Sequence, residues 1–283
     1  MSESASLPPM PQGACDCHLH IFGDLARYPL RHPKSLYDIE PGWTMGAVEA
    51  LHRDLGFSRY IAVQPTAYAK DHSFLIDQLS REPAGKAMGV AIIDDSVSDK
   101  EIERLHAAGV RGARFNFQSR FGLVPSFEEF HRNVDRIRGL GWFIKIFFMD
   151  ELPAIEKEIR KAKIATIVDH LGPKQDFSLG TRQEDFRLLL DLIASEGWWV
   201  LLSNGHRRSA QGAPFDDMVD YGAALYSVAP ERSLWGTDWP HVTETRRTDE
   251  RANLALMRRY LPDDQAWNRV LADNPARLFD FAM

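Results

Sequence analysis

The sequence has very little cysteine: Cys15 and Cys17 are the only two in 283 residues. Residues two apart in a strand lie too close along one chain to be bridged easily, so a disulfide between them is not expected. A secreted fold built on disulfides is therefore excluded, and the cysteine usage fits a reducing compartment. The first thirteen residues have neither a basic nor an apolar segment. We expect no secretory signal and predict a cytoplasmic location.

Long apolar runs and a surplus of basic residues are also lacking. No stretch approaches the roughly 18 apolar residues of a membrane-spanning helix. The 34 Lys and Arg are outnumbered by 40 Asp and Glu, which gives a net charge of -6. This balance predicts neither nucleic acid nor an acidic membrane as a partner, so an anionic substrate needs a local basic pocket. Trp267 and Tyr260, which we expect to be exposed, are too scattered to predict an oligomeric state.

What the sequence does contain is a regular alternation of short apolar runs and longer amphipathic runs. Most of the apolar runs lack the alternation of a one-sided sheet, which indicates parallel strands covered on both faces. The predicted strands are Ala14–His20, Tyr60–Val63, Ala87–Ile93, Val110–Phe115, Trp142–Phe148, Ile164–His170, Trp198–Leu202 and Ser233–Thr237. The predicted helices are Ser98–Ala108, Pro125–Leu140, Asp150–Ala162, Arg182–Ser195, Pro214–Val228, Asp249–Leu261, Ala266–Leu271 and Pro275–Phe281.

Eight strand–helix alternations with right-handed crossovers predict a single (β/α)8 TIM barrel. A doubly wound sheet is the main alternative, but the first turn, Phe22-Gly23-Asp24, is not the Gly-rich fingerprint of that fold. No repeat or linker divides the chain, so we expect a coil at residues 1–13 followed by one domain at residues 14–283. The long segment from Gly23 to Trp43 is predicted to be an active-site loop.

Polar side chains follow the predicted strands at the end where TIM barrels carry their chemistry. The candidates are His18 and His20 (first strand), Arg114, Asn116 and Arg120 (fourth), His170 (sixth), Arg207 (seventh), and Asp238 and His241 (eighth). Each one alone has a simpler structural interpretation; Asp238, for example, could cap a helix. His52, His106 and His131, in helical segments, are interpreted as packing or surface residues. Together, the strand-end residues favour one site.

Three histidines and an aspartate suit two kinds of chemistry. They can bind a metal, or they can hydrolyse an activated ester, with Asp238 taking a proton from water and the histidines donating to the oxyanion. Arginine recognises a carboxylate through paired hydrogen bonds, so the arginines predict a small carboxylated substrate. A phosphate ester ranks lower because no P-loop is present.

Three motifs resemble those of the amidohydrolase superfamily: Cys17-His18-Leu19-His20, Val168-Asp169-His170-Leu171-Gly172 and Trp235-Gly236-Thr237-Asp238-Trp239-Pro240-His241. The resemblance runs from about Gly13 to the C-terminus. It is closer to the branch of small lactonases that includes 2-pyrone-4,6-dicarboxylate hydrolase. It implies a distorted (β/α)8 barrel that hydrolyses a carboxylated or sulfonated lactone, of pyrone-dicarboxylate or muconolactone type, in the breakdown of aromatic compounds.

The resemblance also implies roles for individual residues. Asp238 would be the general base and then the general acid, and His18, His20 and His170 would surround the scissile carbonyl. Substrate would be bound by Arg114, Arg120, Arg207, His241 and Tyr37, to which we add Asn116 because it shares a strand face with Arg114. Phe147 stands where the lactonases have tyrosine, and Ser203-Asn204-Gly205-His206-Arg207 replaces a run that contains cysteine. These departures leave the identity of the lactone open.

The resemblance leaves the metal content to be settled between two alternatives. Many amidohydrolases bind zinc, and the ligands here would be His18, His20, His170 and Asp238. The lactonase branch works without a metal, so we expect no cofactor, with a single divalent metal such as zinc as the alternative. The alternative functions are a zinc-dependent decarboxylase of a semialdehyde- or benzoate-type acid, and a hydrolase or isomerase of sugar-acid lactones. A non-catalytic barrel that binds small acids is the remaining class.

Overall fold

The computed structural model describes residues 7–32, 39–119, 122–242 and 249–281. Eight strands form one sheet in chain order, and each strand is parallel to the next. They are β1 Cys15–Leu19, β2 Arg59–Val63, β3 Ala87–Ala91, β4 Val110–Asn116, β5 Phe143–Phe147, β6 Thr166–Val168, β7 Trp199–Leu201 and β8 Ser233–Leu234. The predicted TIM barrel is confirmed.

The barrel closes between β8 and β1 beyond the end of the short strand β8. The Cys17 amide donates to the carbonyl of Trp235 at 3.0 Å, and the Asp238 amide donates to the carbonyl of His18 at 2.8 Å. A Cβ on Gly236 would lie 2.4 Å from the backbone nitrogen of His18, so the close approach of β1 and the segment after β8 requires glycine here. This closure places Asp238 directly beside the histidine pair of β1.

The buried carboxylate of Asp16 also connects β1 to the segment after β8. Its oxygens accept hydrogen bonds from the amide and the hydroxyl of Thr237, at 2.9 and 2.6 Å. The Nε2 atom of His52 lies 3.2 Å from the Asp16 carboxylate. His52, which the sequence predicts to be a packing or surface residue, thus contacts Asp16, the residue that joins β1 to the segment after β8.

Helices and turns surround the barrel. They are α1 Met45–Leu55, α2 Ser73–Leu79, α3 Asp99–Ala107, α4 Phe127–Arg138, α5 Leu152–Ala162, α6 Glu184–Glu196, α7 Gly205–Arg208, α8 Val219–Val228, α9 Glu250–Tyr260, α10 Asp264–Asn268 and α11 Asn274–Phe279, with a π-helical turn at Arg269–Asp273. Helix α3 begins where its sequence predicts: the Ser98 hydroxyl accepts from the Glu101 amide at 3.1 Å. No helix of the described residues is long and apolar enough to cross a membrane.

Two apolar layers flank the sheet. The larger one lies between the strands and the helices and includes Trp267 and Tyr260, which are 0% and 3% exposed, so the expectation that these two side chains are exposed was wrong. The smaller one joins inward-facing residues of seven strands, such as Ile61 and Phe143, to Phe279 near the C-terminus. Phe143 lies on the same face of β5 as Lys145, whose ammonium is 3.0 Å from the Asp169 carboxylate after β6, so this layer fills the barrel beneath the polar residues at the strand ends.

Candidate active site

Asp238 is the residue on which the polar side chains converge. It follows β8 with a left-handed backbone (φ 58°). One carboxylate oxygen, Oδ1, lies 3.5 Å from Nε2 of His18, 3.5 Å from Nε2 of His20 and 3.6 Å from Nε2 of His170. These four side chains are between 0% and 11% exposed. The structure therefore brings the four predicted catalytic residues into one buried cluster.

The second carboxylate oxygen of Asp238 has different partners. Oδ2 accepts a hydrogen bond from the side-chain amide of Asn204 at 2.6 Å and from Nη1 of Arg207 at 3.0 Å. Oδ2 is thus held by two donors, whereas the partners of Oδ1 among the described residues are imidazole nitrogens. The carboxylate is fixed in direction, and Oδ1 is the oxygen that can accept a proton.

The electrostatic surroundings keep Asp238 ionised. Burial alone would raise its pKa, but His170, His18 and His20 in their protonated forms, together with Arg207, outweigh burial and hold the pKa well below the usual range of a carboxyl group. Of these neighbours, Arg207 carries a permanent charge. At neutral pH, Asp238 is therefore a carboxylate that can act as a base.

The tautomers of the three histidines follow from the partners of their Nδ1 atoms. Nδ1 of His20 lies 2.8 Å from the carbonyl oxygen of Val63, which only accepts, so the proton is on Nδ1 and Nε2 has a lone pair. Nδ1 of His18 has no hydrogen-bond partner among the described residues, but it lies 3.4 Å from Oδ1 of Asp169, whose negative charge favours a proton on Nδ1.

His170 differs from the other two histidines. Its Nδ1 lies 2.9 Å from the hydroxyl of Ser203, a group that can donate as well as accept. The Nε2 atom of His170 can therefore carry the proton, and this is the one histidine of the three that can donate a hydrogen bond at the Asp238 cluster.

All three histidines are neutral at pH 7. Burial is the main cause that lowers the pKa of His18 to about 4, and the nearby ammonium of Lys145 adds to it. Burial lowers the pKa of His20 to about 4 and outweighs the opposing effect of Asp238. Burial also holds the pKa of His170 well below its usual value. The cluster thus joins neutral imidazoles to one carboxylate.

The same atoms fit a single divalent metal ion. Nε2 of His18 and Nε2 of His20 are 3.4 Å apart, and each is 3.5 Å from Oδ1 of Asp238. Two ligands at the usual zinc distances are about 3.3 Å apart in a tetrahedral site. A second group, formed by His18, Asp169 and His170, also has its ligand atoms within 4.8 Å of one another, but the Lys145 ammonium lies 3.0 Å from Asp169 and is ion-paired there. The donor set therefore suits one ion at most.

Four of the predicted substrate-binding residues, Arg114, Asn116, Arg207 and His241, are among the described residues, and their contacts differ. Nε of Arg114 is 3.3 Å from Oδ2 of Asp169, and its side chain is 10% exposed. Its terminal nitrogens have no hydrogen bond to any of the described residues. The carbonyl of the Asn116 side chain accepts from the Gln118 amide at 2.9 Å, so this oxygen supports the turn after β4. Arg120 and Tyr37 lie outside the described residues.

His241 is buried next to the cluster, and its ring is held in place by Glu250. Its Nε2 lies 2.5 Å from Oε1 of Glu250, while its Nδ1 is buried without a hydrogen-bond partner among the described residues. Glu250 outweighs burial and raises the pKa of His241 above its usual value. The His206 ring lies edge-on to the His241 ring at 4.9 Å.

The site also contains residues to which the sequence analysis gave no role, although Asp169, Asn204 and Arg208 stand at the ends of predicted strands. Asn204 contacts Asp238 and Asp169 contacts His18, whereas Lys145 contacts Asp169. Arg208, which is half-buried, donates to the carbonyl of Gly172 at 3.0 Å and so braces the turn after His170. One signal was available in the sequence: Lys145 is a charged residue in the otherwise apolar run Phe-Ile-Lys-Ile-Phe.

Comparison with known proteins connects this geometry with lactone chemistry. The chain is 34% identical to a 4-sulfomuconolactone hydrolase of Rhizobium radiobacter, and the match covers 95% of the chain and 91% of the relative. It is 31% identical to a 2-pyrone-4,6-dicarboxylate hydrolase of Comamonas testosteroni, with the same coverage. It is 30% identical to a D-galactarolactone isomerase of Agrobacterium fabrum, over 99% of the chain and 95% of the relative.

A solved structure supports the same assignment. A candidate 2-pyrone-4,6-dicarboxylic acid hydrolase of Pseudomonas putida superimposes with a TM-score of 0.81 at 25% identity, covering 97% of this chain and 100% of that one. The family model described as amidohydrolase matches residues 15–281. The chain therefore belongs to the amidohydrolase family.

Proposed function

We propose that the protein hydrolyses the ester bond of a small lactone that carries a carboxylate or a sulfonate. The observation that carries this proposal is the orientation of Asp238, with Oδ2 held by Asn204 and Arg207 while Oδ1 faces three imidazoles. Such a carboxylate is arranged to remove a proton rather than to bind one permanently. The names of the hydrolases among its relatives support the same reaction.

The tautomers assign separate tasks to the histidines. The lone pairs of His18 and His20 and the Oδ1 atom of Asp238 are three acceptors at 3.4 to 3.5 Å from one another. A water molecule bound to one side of the plane of these three atoms would donate its two hydrogens to two of the acceptors, which would orient its oxygen for attack. His170, with Nε2 protonated, donates to the carbonyl oxygen as negative charge develops there.

One proton passes from the attacking water to Asp238 and then to the departing ring oxygen in the proposed reaction. Asp238 takes one proton from the attacking water while the new carbon–oxygen bond forms at the lactone carbonyl. When the ring carbon–oxygen bond breaks, Asp238 returns this proton to the departing ring oxygen. The products are one open-chain acid and a regenerated carboxylate on Asp238.

The anionic groups of the substrate are expected to bind to the arginines. Arg114 uses Nε toward Asp169, which leaves its terminal nitrogens to form paired hydrogen bonds with a carboxylate or sulfonate. Arg207 already contacts Asp238, so an anion beside it would lie next to the reacting carbonyl. Arg120, Tyr37, Asn116 and His241 complete the proposed substrate-binding set.

Metal-free catalysis is part of the proposal, and a single bound ion is its alternative. If an ion is bound, His18, His20, His170 and Asp238 would hold it, and it would supply a polarised carbonyl or a more acidic water. A cytoplasmic location also remains a prediction. It agrees with the two cysteines being buried and free.

The test is a turnover screen with metal content measured on the same sample. The substrates are 4-sulfomuconolactone, 2-pyrone-4,6-dicarboxylate, D-galactarolactone and an uncharged lactone as the control. We expect acid release from a sulfonated or carboxylated lactone, none from the uncharged one, and less than about 0.1 equivalent of metal. Isomerisation without acid release would favour a sugar-lactone isomerase. Stoichiometric zinc with decarboxylation would favour the decarboxylase, and binding without turnover would overturn the proposal.

A further inference from the structure

A lysine lies inside the barrel where an apolar residue would be expected. Lys145 is the middle residue of β5 and its side chain is 0% exposed. Its ammonium lies 3.0 Å from Oδ1 of Asp169 and 3.4 Å from the carbonyl oxygen of Cys17, the residue before His18. A buried ion pair adds little to stability compared with apolar residues of the same volume. The presence of this pair in the barrel therefore points to a role beyond folding.

Asp169, the partner of Lys145, connects the pair to the active site. It is fully buried, and its Oδ1 atom also lies 3.4 Å from Nδ1 of His18. Its other oxygen lies 3.3 Å from Nε of Arg114. Three groups on three different strands therefore meet at one carboxylate: Lys145 from β5, Arg114 from β4 and His18 from β1.

We propose that Lys145 and Asp169 form a positioning pair that fixes the tautomer and the direction of the His18 ring. The Asp169 carboxylate holds the His18 proton on Nδ1, so that the lone pair of Nε2 points toward Asp238. Lys145 holds Asp169 in place and, through the Cys17 carbonyl, also holds the strand that carries His18. Neither residue contacts the substrate.

Lys145 has a further consequence for Arg114. Because the Lys145 ammonium balances the charge of Asp169, the positive charge of Arg114 is left for an anionic substrate. Without Lys145, Arg114 would be the one full positive charge next to Asp169 among the described residues. This part of the inference rests on the proposed lactone hydrolysis, whereas the tautomer of His18 does not depend on it.

The decisive experiment compares two single variants with the double variant. Lys145→Met and Asp169→Asn each leave a buried charge without its main partner, and both should lower Tm and lower kcat at least about tenfold. The double variant K145M/D169N removes both charges. If the pair positions His18, the double variant regains Tm, but its kcat stays at least about tenfold below wild type, because the introduced amide offers no charged acceptor to Nδ1.

A role in stability alone predicts the opposite result. In that case the double variant regains kcat together with Tm, which would overturn the proposal. The exposed Lys157→Met on α5 is the matched control for the loss of a lysine charge, and it should leave both quantities unchanged. A double variant that folds is expected because the two opposite charges of the pair are removed together, which leaves the net charge of the barrel interior unchanged.

A measurement on the wild-type protein provides a second test that requires no turnover. Nitrogen-15 NMR of histidine-labelled protein at pH 7.5 distinguishes the two tautomers, and His18→Gln identifies the His18 signals. We expect the proton of His18 on Nδ1 in the wild type and a loss of this preference in Asp169→Asn. A wild-type His18 with its proton on Nε2 would overturn the positioning pair even if every lactone is turned over. Absence of turnover in the wild type would refute the proposed function but not the positioning pair.

Discussion

The substitution Asp238→Asn is the sharpest test of the proposed base. An asparagine side chain has the shape of aspartate, and its oxygen can occupy the Oδ2 position, where Asn204 and Arg207 donate at 2.6 and 3.0 Å. The amide NH2 group then replaces Oδ1 and faces the lone pairs of His18 and His20. The fold is retained because both new contacts are satisfied, but a donor now stands where the base stood.

The size of the effect follows from this geometry. A positioned general base contributes roughly 10²- to 10⁴-fold to the rate. We expect a loss near the upper end, about 10³-fold or more in kcat, because the other buried carboxylate beside His18, Asp169, is already paired with Lys145. This corresponds to about 4 kcal/mol in the activation free energy.

The assay is acid release at saturating lactone, with Tm measured on the same preparations. Asp191→Asn, an exposed substitution on α6, is the control for the loss of one negative charge and should match the wild type. KM should change less than kcat, because Asp238 acts on the attacking water. A variant that keeps more than about a tenth of wild-type turnover would refute the reasoning, since that loss is below the range of a general base.

Four further predictions follow from the structure. The free energy of unfolding should fall as pH drops from 6.5 toward 4. The pKa of His18 and His20 is about 4 in the folded chain and 6.5 in the unfolded chain, so the unfolded chain binds more protons in this range. Calorimetry should show a shallower decline of stability for His20→Gln, and a Tm that does not change with pH would contradict the prediction. Over the same range, kcat/KM should be level near neutrality and fall as pH passes through about 4, when the lone pairs of His18 and His20 are lost; a decline centred above pH 6 would speak against it. Gly236→Ala should abolish folding or activity, because its Cβ would lie 2.4 Å from the His18 nitrogen, whereas Gly212→Ala, with nothing within 4 Å, should behave as wild type in expression and Tm. Arg114→Lys should raise KM about tenfold while kcat changes less, since lysine cannot form paired hydrogen bonds; an unchanged KM would remove Arg114 from the substrate-binding set.

The barrel and the place of its site could be predicted because parallel strands share one carboxyl end. Any polar residue at a strand end then lies near the others, whatever the exact register. This reasoning brought Asp238 together with His18 and His170. The ends of the strands were predicted less well: β6 ends at Val168, before His170, because His170 adopts a left-handed backbone (φ 55°) that no local pattern signals.

The interior contacts could not be predicted, because they depend on strand register. Lys145 pairs with Ile167 on β6, which brings its ammonium to Asp169 two residues further along. The sequence shows both charges, but not that they face each other. Helices α1 and α2 were also missed: α1 has no side-chain cap at its start, and α2 is only seven residues long.

The closure between β1 and the segment after β8 has a consequence for how the protein is made. The Thr237–Asp16 hydrogen bond joins residues that are 221 positions apart, and Asp238 follows directly. Contacts between such distant positions form late, because a long loop must first be ordered. A nascent chain can thus build most of its strands while Asp238 is still being synthesised. During refolding, the return of turnover should therefore lag behind the return of secondary structure and mark the moment at which the ring of strands becomes complete.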